Sequence, residues 1–378
     1  MKIYPVNQPL LDGNEKVYLA ECIDTGWISS EGPFVERFEG KFSEFCGCKY
    51  GIAVSNGTAA LEVALFAAGL EPGDEVIMPS FTIISCAIAC IRLGLIPVLV
   101  DIDSETWTMD VQQIEDKLTR RTKAIMPVHI YGHPVDMDPV FSLAAKYGLR
   151  IIEDAAEAQG AQYLSVHRNN AWLKCGSMSD VATSSFYANK IITTGEGGMV
   201  VTSDKGIAER ARSYRNLCFK PEQRFLHTEL GYNFRMTNIQ AAVGLAQVEQ
   251  IERFIAIKRR IGEYYRHKLS SVGGLRFMPE KIWAKSVYWM YSIELEPANG
   301  VTAKEMMDRL RKRNVGTRPF FMGMHCQPAL HNLGLFQGES YPNTDYAYKW
   351  GLYLPSGMTL TEAMVDEVVE VVIDELDI

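Results

Sequence analysis

The sequence lacks the short motifs that mark a metal site. No two of its eight cysteines are spaced as CxxC, and its seven histidines form no HExxH. These absences argue against structural or catalytic zinc, so we expect no bound metal. The cysteines are scattered through apolar surroundings, which is typical of reduced thiols in a cytoplasmic protein.

The sequence also lacks an excess of positive charge and a long apolar run. Its 378 residues carry a net charge of -8, which argues against nonspecific nucleic-acid binding. Its most apolar stretch, "AIACIRLGLIPVLVDID", is interrupted by Arg92 and Pro97 and is too short to span a membrane. The first residues show no signal-peptide pattern. We therefore expect a cytoplasmic protein that binds neither nucleic acid nor membrane.

Two nucleotide-binding fingerprints are missing as well. The sequence contains no GxGxxG and no GxxxxGK[ST], so a nucleotide-binding dehydrogenase is disfavoured.

Short β-branched runs alternate with helical patterns over the first two-thirds of the chain. This alternation predicts a mostly parallel sheet with crossover helices. The predicted strand segments include "GDEVIMPS", "IPVLVDID", "TKAIMPVHIYG", "YGLRIIEDAAEA", "DVATSSFY" and "GGMVVTS". The helical segments between them are "NGTAALEVALFAAGL", "DVQQIEDKLT" and "MDPVFSLAAKYG". One long helix is predicted over 239–269, and a strand and two helices follow it. We expect a large α/β domain over 1–248 and a smaller α+β domain over 249–378.

Lys190 lies in "SSFYANKIITTGEGGMV", between a predicted strand and a glycine-rich turn. Most lysines are solvated surface charges. The neighbours of Lys190 are apolar or uncharged, and loops at strand ends are where α/β enzymes place reactive groups. Lys190 is therefore a candidate nucleophile.

Two further stretches indicate a ligand. Asp154 ends the predicted strand of "IIEDAAEAQG", where it either caps a helix or faces a ligand. Gly57 and Thr58, in "VSNGTAALEVAL", begin a helix whose N-terminus is either an anion site or a simple cap. A lysine, an acid and an anion site together suit pyridoxal 5′-phosphate, which has an aldehyde, a ring nitrogen and a phosphate.

Many motifs in order then support a family resemblance. The chain resembles the DegT/DnrJ/EryC1/StrS sugar aminotransferases, which have the fold type I architecture of aspartate aminotransferase. The motifs are "GWISSEGPFVERFE", "VSNGTAAL", "GDEVIMPSFT", "KAIMPVHIYG", "IIEDAAEAQG", "NKIITTGEGGMV", "GYNFRMTNIQAAVGLAQ" and "TRPFF". Within the family they are most similar to those of perosamine synthases. The resemblance implies a large three-layer α/β/α domain, a smaller C-terminal α+β domain and pyridoxal 5′-phosphate as cofactor.

The resemblance also implies residue roles. Lys190 matches the Schiff-base lysine, which is also the catalytic base, and Asp154 matches the acid at the ring nitrogen. The other cofactor-binding positions are Glu157 at the ring hydroxyl, Ile83 against the ring face, Gly57, Thr58 and Ser185 at the phosphate, and Asn233, which reaches the phosphate from the other subunit. An obligatory homodimer with active sites at the subunit interface follows from the role of Asn233.

The resemblance also implies a set of substrate-facing positions. The family pattern points to Trp27, Ser29, Arg318 and His325, and His227 faces the site or caps a turn. Arg318 is equally compatible with a structural salt bridge. The hairpin over 162–180 is longer than in relatives and is either a surface hairpin or a substrate-facing flap.

The implied reaction moves an amino group from glutamate to a keto sugar for lipopolysaccharide synthesis. The first expectation for the acceptor is a nucleotide-linked 4-keto-6-deoxyhexose. Ile83, the "FYANK" loop and the longer hairpin depart from the pattern, so a nucleotide-free sugar such as 8-keto-Kdo is the alternative. An alternative of another class is a non-catalytic regulatory or binding protein, which the intact Lys190 and Asp154 disfavour.

Overall fold

The structure, a computed structural model, describes residues 3–220 and 222–376. Its strands are β1 (Tyr50–Val54), β2 (Glu75–Pro79), β3 (Ile96–Val100), β4 (Thr122–Ile125), β5 (Arg150–Asp154), β6 (Gln162–Ser165), β7 (Ala171–Lys174), β8 (Val181–Ser185), β9 (Gly198–Thr202), β10 (Leu275–Phe277), β11 (Ala284–Lys285), β12 (Tyr291–Leu295), β13 (Arg318–Pro319) and β14 (Gly351–Leu354). Its α-helices are α1 (Glu15–Thr25), α2 (Pro33–Cys46), α3 (Gly57–Ala67), α4 (Ser85–Arg92), α5 (Met137–Tyr147), α6 (Lys205–Tyr214), α7 (Asn238–Val248), α8 (Ile251–Leu269), α9 (Ala303–Lys312), α10 (Pro328–His331), α11 (Pro342–Trp350) and α12 (Glu362–Glu375).

The largest sheet has seven strands in the order β1-β9-β8-β5-β4-β2-β3. β9 is antiparallel to both of its neighbours, and the remaining neighbouring pairs are parallel. The predicted mostly parallel sheet is therefore confirmed. β9 is the exception because the chain passes from β8 to β9 through a loop, residues 186–197, without the crossover helix that a parallel neighbour usually requires.

The direction of the strands determines where a ligand can bind. β1 and β8 run in the same direction, because each is antiparallel to β9, and β5 is parallel to β8. The last residues of these three strands, Val54, Asp154 and Ser185, therefore lie at one edge of the sheet. In open α/β sheets this carboxyl edge is where ligands bind.

Helices cover both faces of the large sheet. α7 packs with α1 and α2, whereas α3 packs with α4 and α6. α2 and α3 both contact β9, which lies between β1 and β8 in the sheet. The arrangement therefore has the three α/β/α layers expected. α3 is buried over most of its length, which agrees with its nearly uniform apolar sequence.

A second, smaller unit contains the antiparallel sheet β10-β12-β14-β13. A separate hydrophobic cluster, which includes Ile293, Leu354 and Val368, joins this sheet to α8, α9 and α12. Tyr4, near the start of the chain, also belongs to this cluster. The smaller α+β unit matches the expected architecture, and the domain boundary at residue 248 stays a prediction.

The long helix predicted over 239–269 is two helices, α7 and α8. They are separated at Glu249 and Gln250, where the carboxylate of Glu249 accepts hydrogen bonds from Asn14 (2.9 Å) and from the Tyr18 hydroxyl (2.8 Å). Contacts with the first helix and its cap therefore override a helical pattern that continues in the sequence.

The helix predicted from "DVQQIEDKLT" is wrong. This segment forms two single 3₁₀ turns, Val111–Gln113 and Glu115–Lys117. The Asp110 carboxylate accepts from the Gln112 N–H (3.0 Å) and from the Gln113 side chain (2.8 Å). Aspartate bonds of this local kind compete with regular α-helix formation.

Among the described residues, no helix has the length and apolarity needed to cross a membrane. All eight cysteines carry free thiols.

Candidate active site

A cavity of about 750 Å³ opens at the carboxyl edge of the seven-stranded sheet. Its lining brings together residues that the sequence analysis assigned to catalysis or cofactor binding: Gly57, Thr58, Ile83, Asp154, Glu157, Ser185 and Lys190. They come from separate parts of the chain, so the order of the strands, rather than closeness in sequence, unites them.

Lys190 lies on the loop between β8 and β9, and the first residue of this loop is packed in the hydrophobic core. Phe186 is fully buried, with its ring 5.0 Å from that of Phe38 in α2. Thr194 N–H donates to the Phe186 carbonyl (3.0 Å), and Lys190 N–H donates to the Tyr187 carbonyl (2.9 Å). The side chain of Lys190 is only 11% exposed, so it is a mostly buried amine that faces the cavity.

Two groups lie next to the Lys190 amine. Nζ is 3.5 Å from Glu157 Oε1, and the centre of the Trp289 ring is 3.9 Å away. Tyr131 N–H donates to the other oxygen of Glu157 at 2.9 Å. Burial raises the pKa of Glu157, and the nearby Lys190 and the Tyr131 N–H oppose this rise only in part. The Lys190 amine therefore lies between a carboxylate and an aromatic ring face at the wall of the cavity.

Asp154 ends β5 and is 3% exposed. Its N–H donates to the Pro127 carbonyl (2.9 Å), and its carbonyl accepts from the His129 N–H (3.1 Å). Ala156 N–H donates to Oδ1 at 3.0 Å. These bonds set the position of the carboxylate at the cavity wall.

The neighbouring Glu153 belongs to a different environment. It is fully buried and accepts from His129 Nε2 (2.9 Å) and from the N–H groups of Gly176 and Met178 (2.8 Å each). Glu153 does not line the cavity in the described chain. Successive side chains of a strand point to opposite faces, so only one of these two acids can face a ligand.

The N-terminus of α3 forms the other end of the cavity. The Asn56 side chain caps the helix by accepting from the Ala59 N–H (2.8 Å). The N–H groups of Gly57 and Thr58 lie in the first turn, where a helix supplies no partner for them. A Cβ added to Gly57 would lie 2.9 Å from Ser185 Cβ. Glycine therefore keeps open a gap between the helix end and the Ser185 side chain, which suits an anion.

Sequence reasoning missed an aromatic wall that comes from the smaller unit. Trp289, Phe321 and Tyr353 line the same cavity. Trp289 Nε1–H donates to the Asn189 carbonyl (2.7 Å), which ties the smaller unit to the loop of Lys190. The available signal was the "VYWMY" run, in which a buried tryptophan needs a partner for its N–H.

Four residues that the sequence analysis assigned to the substrate or the cofactor lie on exposed segments and do not line the cavity: Trp27, Ser29, His227 and Asn233. The main-chain oxygens of Trp27 and Ser29 accept from the side chain and N–H of Asn238 (2.6 and 2.9 Å). His227 Nδ1 is 2.8 Å from the Leu217 carbonyl. The exposure of Asn233 agrees with a role outside its own chain. The roles of all four stay predictions.

Arg318 and His325 also lie outside the lining. The Arg318 side chain is exposed and donates to the Thr317 carbonyl (3.0 Å). His325 is buried, with Nε2 3.0 Å from Asp345 Oδ1. Neither contact involves a residue of the cavity, so a substrate role for this pair remains a prediction.

The hairpin of residues 162–180 contains β6 and β7, which join β11 in a three-stranded sheet. At its outer side, Lys285 Nζ lies 4.0 Å from the centre of the Trp172 ring. Among the described residues, none of this hairpin lines the cavity. Within one chain the structure therefore favours a surface hairpin over a flap.

The fold and the cavity together define a class of protein. A mostly parallel α/β sheet carries at its carboxyl edge a buried lysine, an acid at a strand end and an open helix N-terminus. These groups fit the aldehyde, the ring nitrogen and the phosphate of pyridoxal 5′-phosphate. The arrangement is that of fold type I enzymes that depend on this cofactor.

Comparison with known proteins identifies the family. The sequence model of the DegT/DnrJ/EryC1/StrS aminotransferase family matches residues 9–373, so the chain belongs to that family. It is 43% identical to GDP-perosamine synthase of Caulobacter vibrioides, over 96% of each chain. It is 41% identical to GDP-perosamine synthase of Escherichia coli O157:H7, over 97% of this chain and 96% of the relative.

A solved structure supports the same assignment. The crystal structure of DesV from S. venezuelae is similar to this chain with a TM-score of 0.88 and 31% identity, over 97% of this chain and 95% of DesV. The protein is therefore an aminotransferase that depends on pyridoxal 5′-phosphate.

Proposed function

We propose that the protein transfers an amino group from glutamate to the keto group of a GDP-linked 4-keto-6-deoxyhexose, for the synthesis of a lipopolysaccharide sugar. The observation that carries the proposal is the meeting of Lys190, Asp154 and the α3 N-terminus in one cavity. The identity of 43% and 41% with two GDP-perosamine synthases supports a sugar acceptor and this nucleotide.

In this proposal, different residues of the cavity bind different parts of the cofactor. The first-turn N–H groups of Gly57 and Thr58, with the Ser185 hydroxyl, bind the phosphate, because a helix N-terminus favours negative charge. Asp154 keeps the ring nitrogen protonated, and Glu157 binds the ring hydroxyl. Ile83 packs on the ring by dispersion, since it has no aromatic face.

The bound cofactor supplies an electron sink for the carbon that carries the amino group. Lys190 Nζ removes the proton from the α-carbon of the amino donor and delivers it to the cofactor carbon that would then bear the amino group. With the keto sugar bound, Lys190 would carry a proton the other way, from that cofactor carbon to the sugar carbon that receives the amino group. Glu157, at 3.5 Å, accepts a hydrogen bond from Lys190 Nζ while Lys190 holds the proton in each half-reaction. The mostly buried surroundings of Nζ keep water from exchanging this proton.

A homodimer completes the site in this proposal. Asn233 is exposed, and the segment that precedes it exposes Phe225 (83%), Leu226 (52%) and Leu230 (86%). Exposed apolar patches commonly mark protein interfaces. In the dimer the partner's Asn233 reaches the phosphate end of the cavity. The eight free thiols suit the reducing cytoplasm, which is where we place the reaction.

A half-reaction tests the substrate. Glutamate first converts the purified holoenzyme to the amino form of the cofactor. GDP-, dTDP- and UDP-linked 4-keto-6-deoxyhexoses and 8-keto-Kdo are then added one at a time, and the cofactor absorbance is followed. We expect the GDP-linked sugar to return the spectrum fastest.

The other outcomes discriminate between the alternatives. A faster return with another nucleotide would retain the reaction and change the nucleotide. A return with 8-keto-Kdo alone would contradict the nucleotide-linked substrate. No conversion by glutamate would contradict the proposed donor.

A further inference from the structure

A buried thiol contacts the acid of the candidate site. Cys86, in the first turn of α4, is fully buried, and its sulfur is 3.3 Å from Asp154 Oδ2. Thr82 Oγ1 lies 3.8 Å from the same sulfur. The thiol donates its S–H to Asp154 Oδ2, and because a thiol has only one hydrogen, the Thr82 hydroxyl donates to the sulfur. Thr82, Cys86 and Asp154 therefore form a directed hydrogen-bonded chain that ends at the cavity wall.

This thiol is suited to donate rather than to react. Burial, and then the charge of Asp154, raise the pKa of Cys86 well above the usual value of a thiol. The sulfur therefore keeps its proton at neutral pH. A reactive cysteine would need the opposite, a lowered pKa and access to solvent.

The contact leaves a defined part of the Asp154 carboxylate free. Oδ1 accepts from the Ala156 N–H (3.0 Å), and Oδ2 accepts from Cys86. Each carboxylate oxygen can accept a second hydrogen bond. One donor on each oxygen restricts rotation of the carboxylate plane, and the remaining acceptor sites are available to the cavity that Asp154 lines.

We propose that Cys86 is a positioning residue, which orients the Asp154 carboxylate toward the ring nitrogen of the cofactor through its S–H bond to Oδ2. This inference rests on the role proposed above for Asp154. A thiol is a weak donor, so it fixes the orientation while most of the negative charge stays on the carboxylate. That charge is what stabilises a protonated ring nitrogen.

The first test is the infrared S–H stretching band of Cys86 in the cofactor-loaded protein. The difference between wild-type and Cys86→Ser spectra isolates this band from those of the other cysteines. The same difference spectrum is then measured for a second pair of proteins, Asp154→Asn and the double variant Asp154→Asn, Cys86→Ser. We expect the band to move to higher frequency, because an amide oxygen accepts more weakly than a carboxylate. An unchanged band would overturn the proposed bond.

The second test is the affinity of the apoenzyme for pyridoxal 5′-phosphate. Cys86→Val removes the donor, and we expect about 10-fold weaker binding, the size of one hydrogen bond to a charged group. Cys86→Ser keeps a donor, and its affinity should stay within about 2-fold of wild type. Cys90→Val is the matched control, because Cys90 is buried one turn later in α4, and it should leave the affinity unchanged.

The outcomes separate this inference from the proposed function. Wild-type affinity in Cys86→Val, or an equal loss in the Ser and Val variants, would overturn the donor role of Cys86. Asp154→Asn serves as the reference. If it weakens binding and Cys86→Val does not, only the inference fails. If Asp154→Asn leaves the affinity unchanged, the role of Asp154 fails with it.

Discussion

At the cofactor end of the cavity, Asp154, Ser185 and Lys190 lie at or just beyond the ends of strands in one sheet, and all three line the cavity. The residues assigned to the substrate end behave differently. Trp27 and His227, for example, lie on exposed segments and do not line the cavity of the described chain. The two ends therefore differ in what determines the position of their side chains.

The difference shows which side chains of a site the main chain of one subunit positions by itself. A strand end is positioned by main-chain hydrogen bonds to its neighbours, as for Asp154 between Pro127 and His129. An exposed loop has few such bonds, and its position depends on what packs against it. The cofactor end therefore takes most of its residues from one chain, with the partner's Asn233 as the proposed addition, whereas the residues assigned to the substrate end depend on what packs against their loops.

The largest expected effect is at Lys190. Lys190→Ala should reduce turnover by at least about 1,000-fold, because the amine is both the covalent anchor and the base. Lys205→Ala is the control, since Lys205 is exposed and lies outside the cavity. Steady-state rates with glutamate and the keto sugar check both variants. Wild-type turnover in Lys190→Ala would contradict the proposed chemistry.

The adjacent acids of β5 give the next comparison. Asp154→Asn should lower turnover by about 100-fold or more, because a neutral amide does not hold a proton on the ring nitrogen. Glu153→Gln should leave the cofactor spectrum unchanged and reduce the free energy of unfolding instead. Turnover and thermal unfolding of both variants distinguish these effects. A larger loss of turnover in Glu153→Gln would mean that the two acids are assigned the wrong way round.

Glu153 also predicts how the free energy of unfolding depends on pH. Burial alone would raise the pKa of Glu153, but bonds from His129, Gly176 and Ser179 outweigh it, so the pKa is lowered from its usual 4.5. A lowered pKa means that this stabilisation is present above pH 4.5 and is lost as the pH falls through the folded-state pKa. The unfolding free energy of wild type should therefore fall below pH 4.5 more steeply than that of Glu153→Gln. Equal slopes would contradict the assignment.

Asp154 and Trp289 illustrate how far the sequence predicts this site. Asp154 follows a β-branched run, and the strand pattern and family motif both place it at the carboxyl edge. Trp289 reaches Asn189 across 100 residues of chain, and its own segment reads only as a buried strand. Local periodicity carries no information on such a contact, since it depends on how the smaller unit packs against the larger. The division of the predicted helix at Glu249 likewise depends on contacts distant in sequence, with Asn14 and Tyr18 of the first helix and its cap.

Gly57 tests the phosphate end with a smaller effect. In Gly57→Ala the new Cβ would lie 2.9 Å from Ser185 Cβ, so one of them must shift into the anion gap. We expect about 10-fold weaker binding of pyridoxal 5′-phosphate by the apoenzyme, about the loss of one charge-assisted hydrogen bond.

Gly40→Ala is the matched control for Gly57→Ala. Gly40 lies within α2, and a Cβ there has no atom within 4 Å. This variant should bind the cofactor normally and gain about 0.5–1 kcal/mol of stability from the higher helix propensity of alanine. Equal affinities of the two variants would contradict a phosphate site at Gly57.

The smallest effect concerns Asn233, the exposed residue proposed to reach the phosphate from the partner subunit. Mixing Lys190→Ala with Asn233→Ala subunits produces hybrids in which one site combines Lys190 with the partner's Asn233. We expect the mixture to exceed the summed activity of its parents by about 2- to 5-fold, because only hybrids contain an intact site. Lys190→Ala mixed with a Lys190→Ala, Asn233→Ala double variant has no intact site and should show no gain. No gain in the first mixture would place Asn233 in its own chain's site or outside any site.

The most direct test of the cofactor site is the identity of the lysine that carries the cofactor. Borohydride reduction of the holoenzyme fixes the cofactor on its lysine, and peptide mass spectrometry then locates it. A second lysine, Lys258, could also react with the cofactor aldehyde. It is buried, and burial lowers its pKa to about 7. We predict that the label lies on Lys190 and is absent from Lys190→Ala. A label on Lys258 or on any other lysine would contradict the assignment of this cavity as the active site.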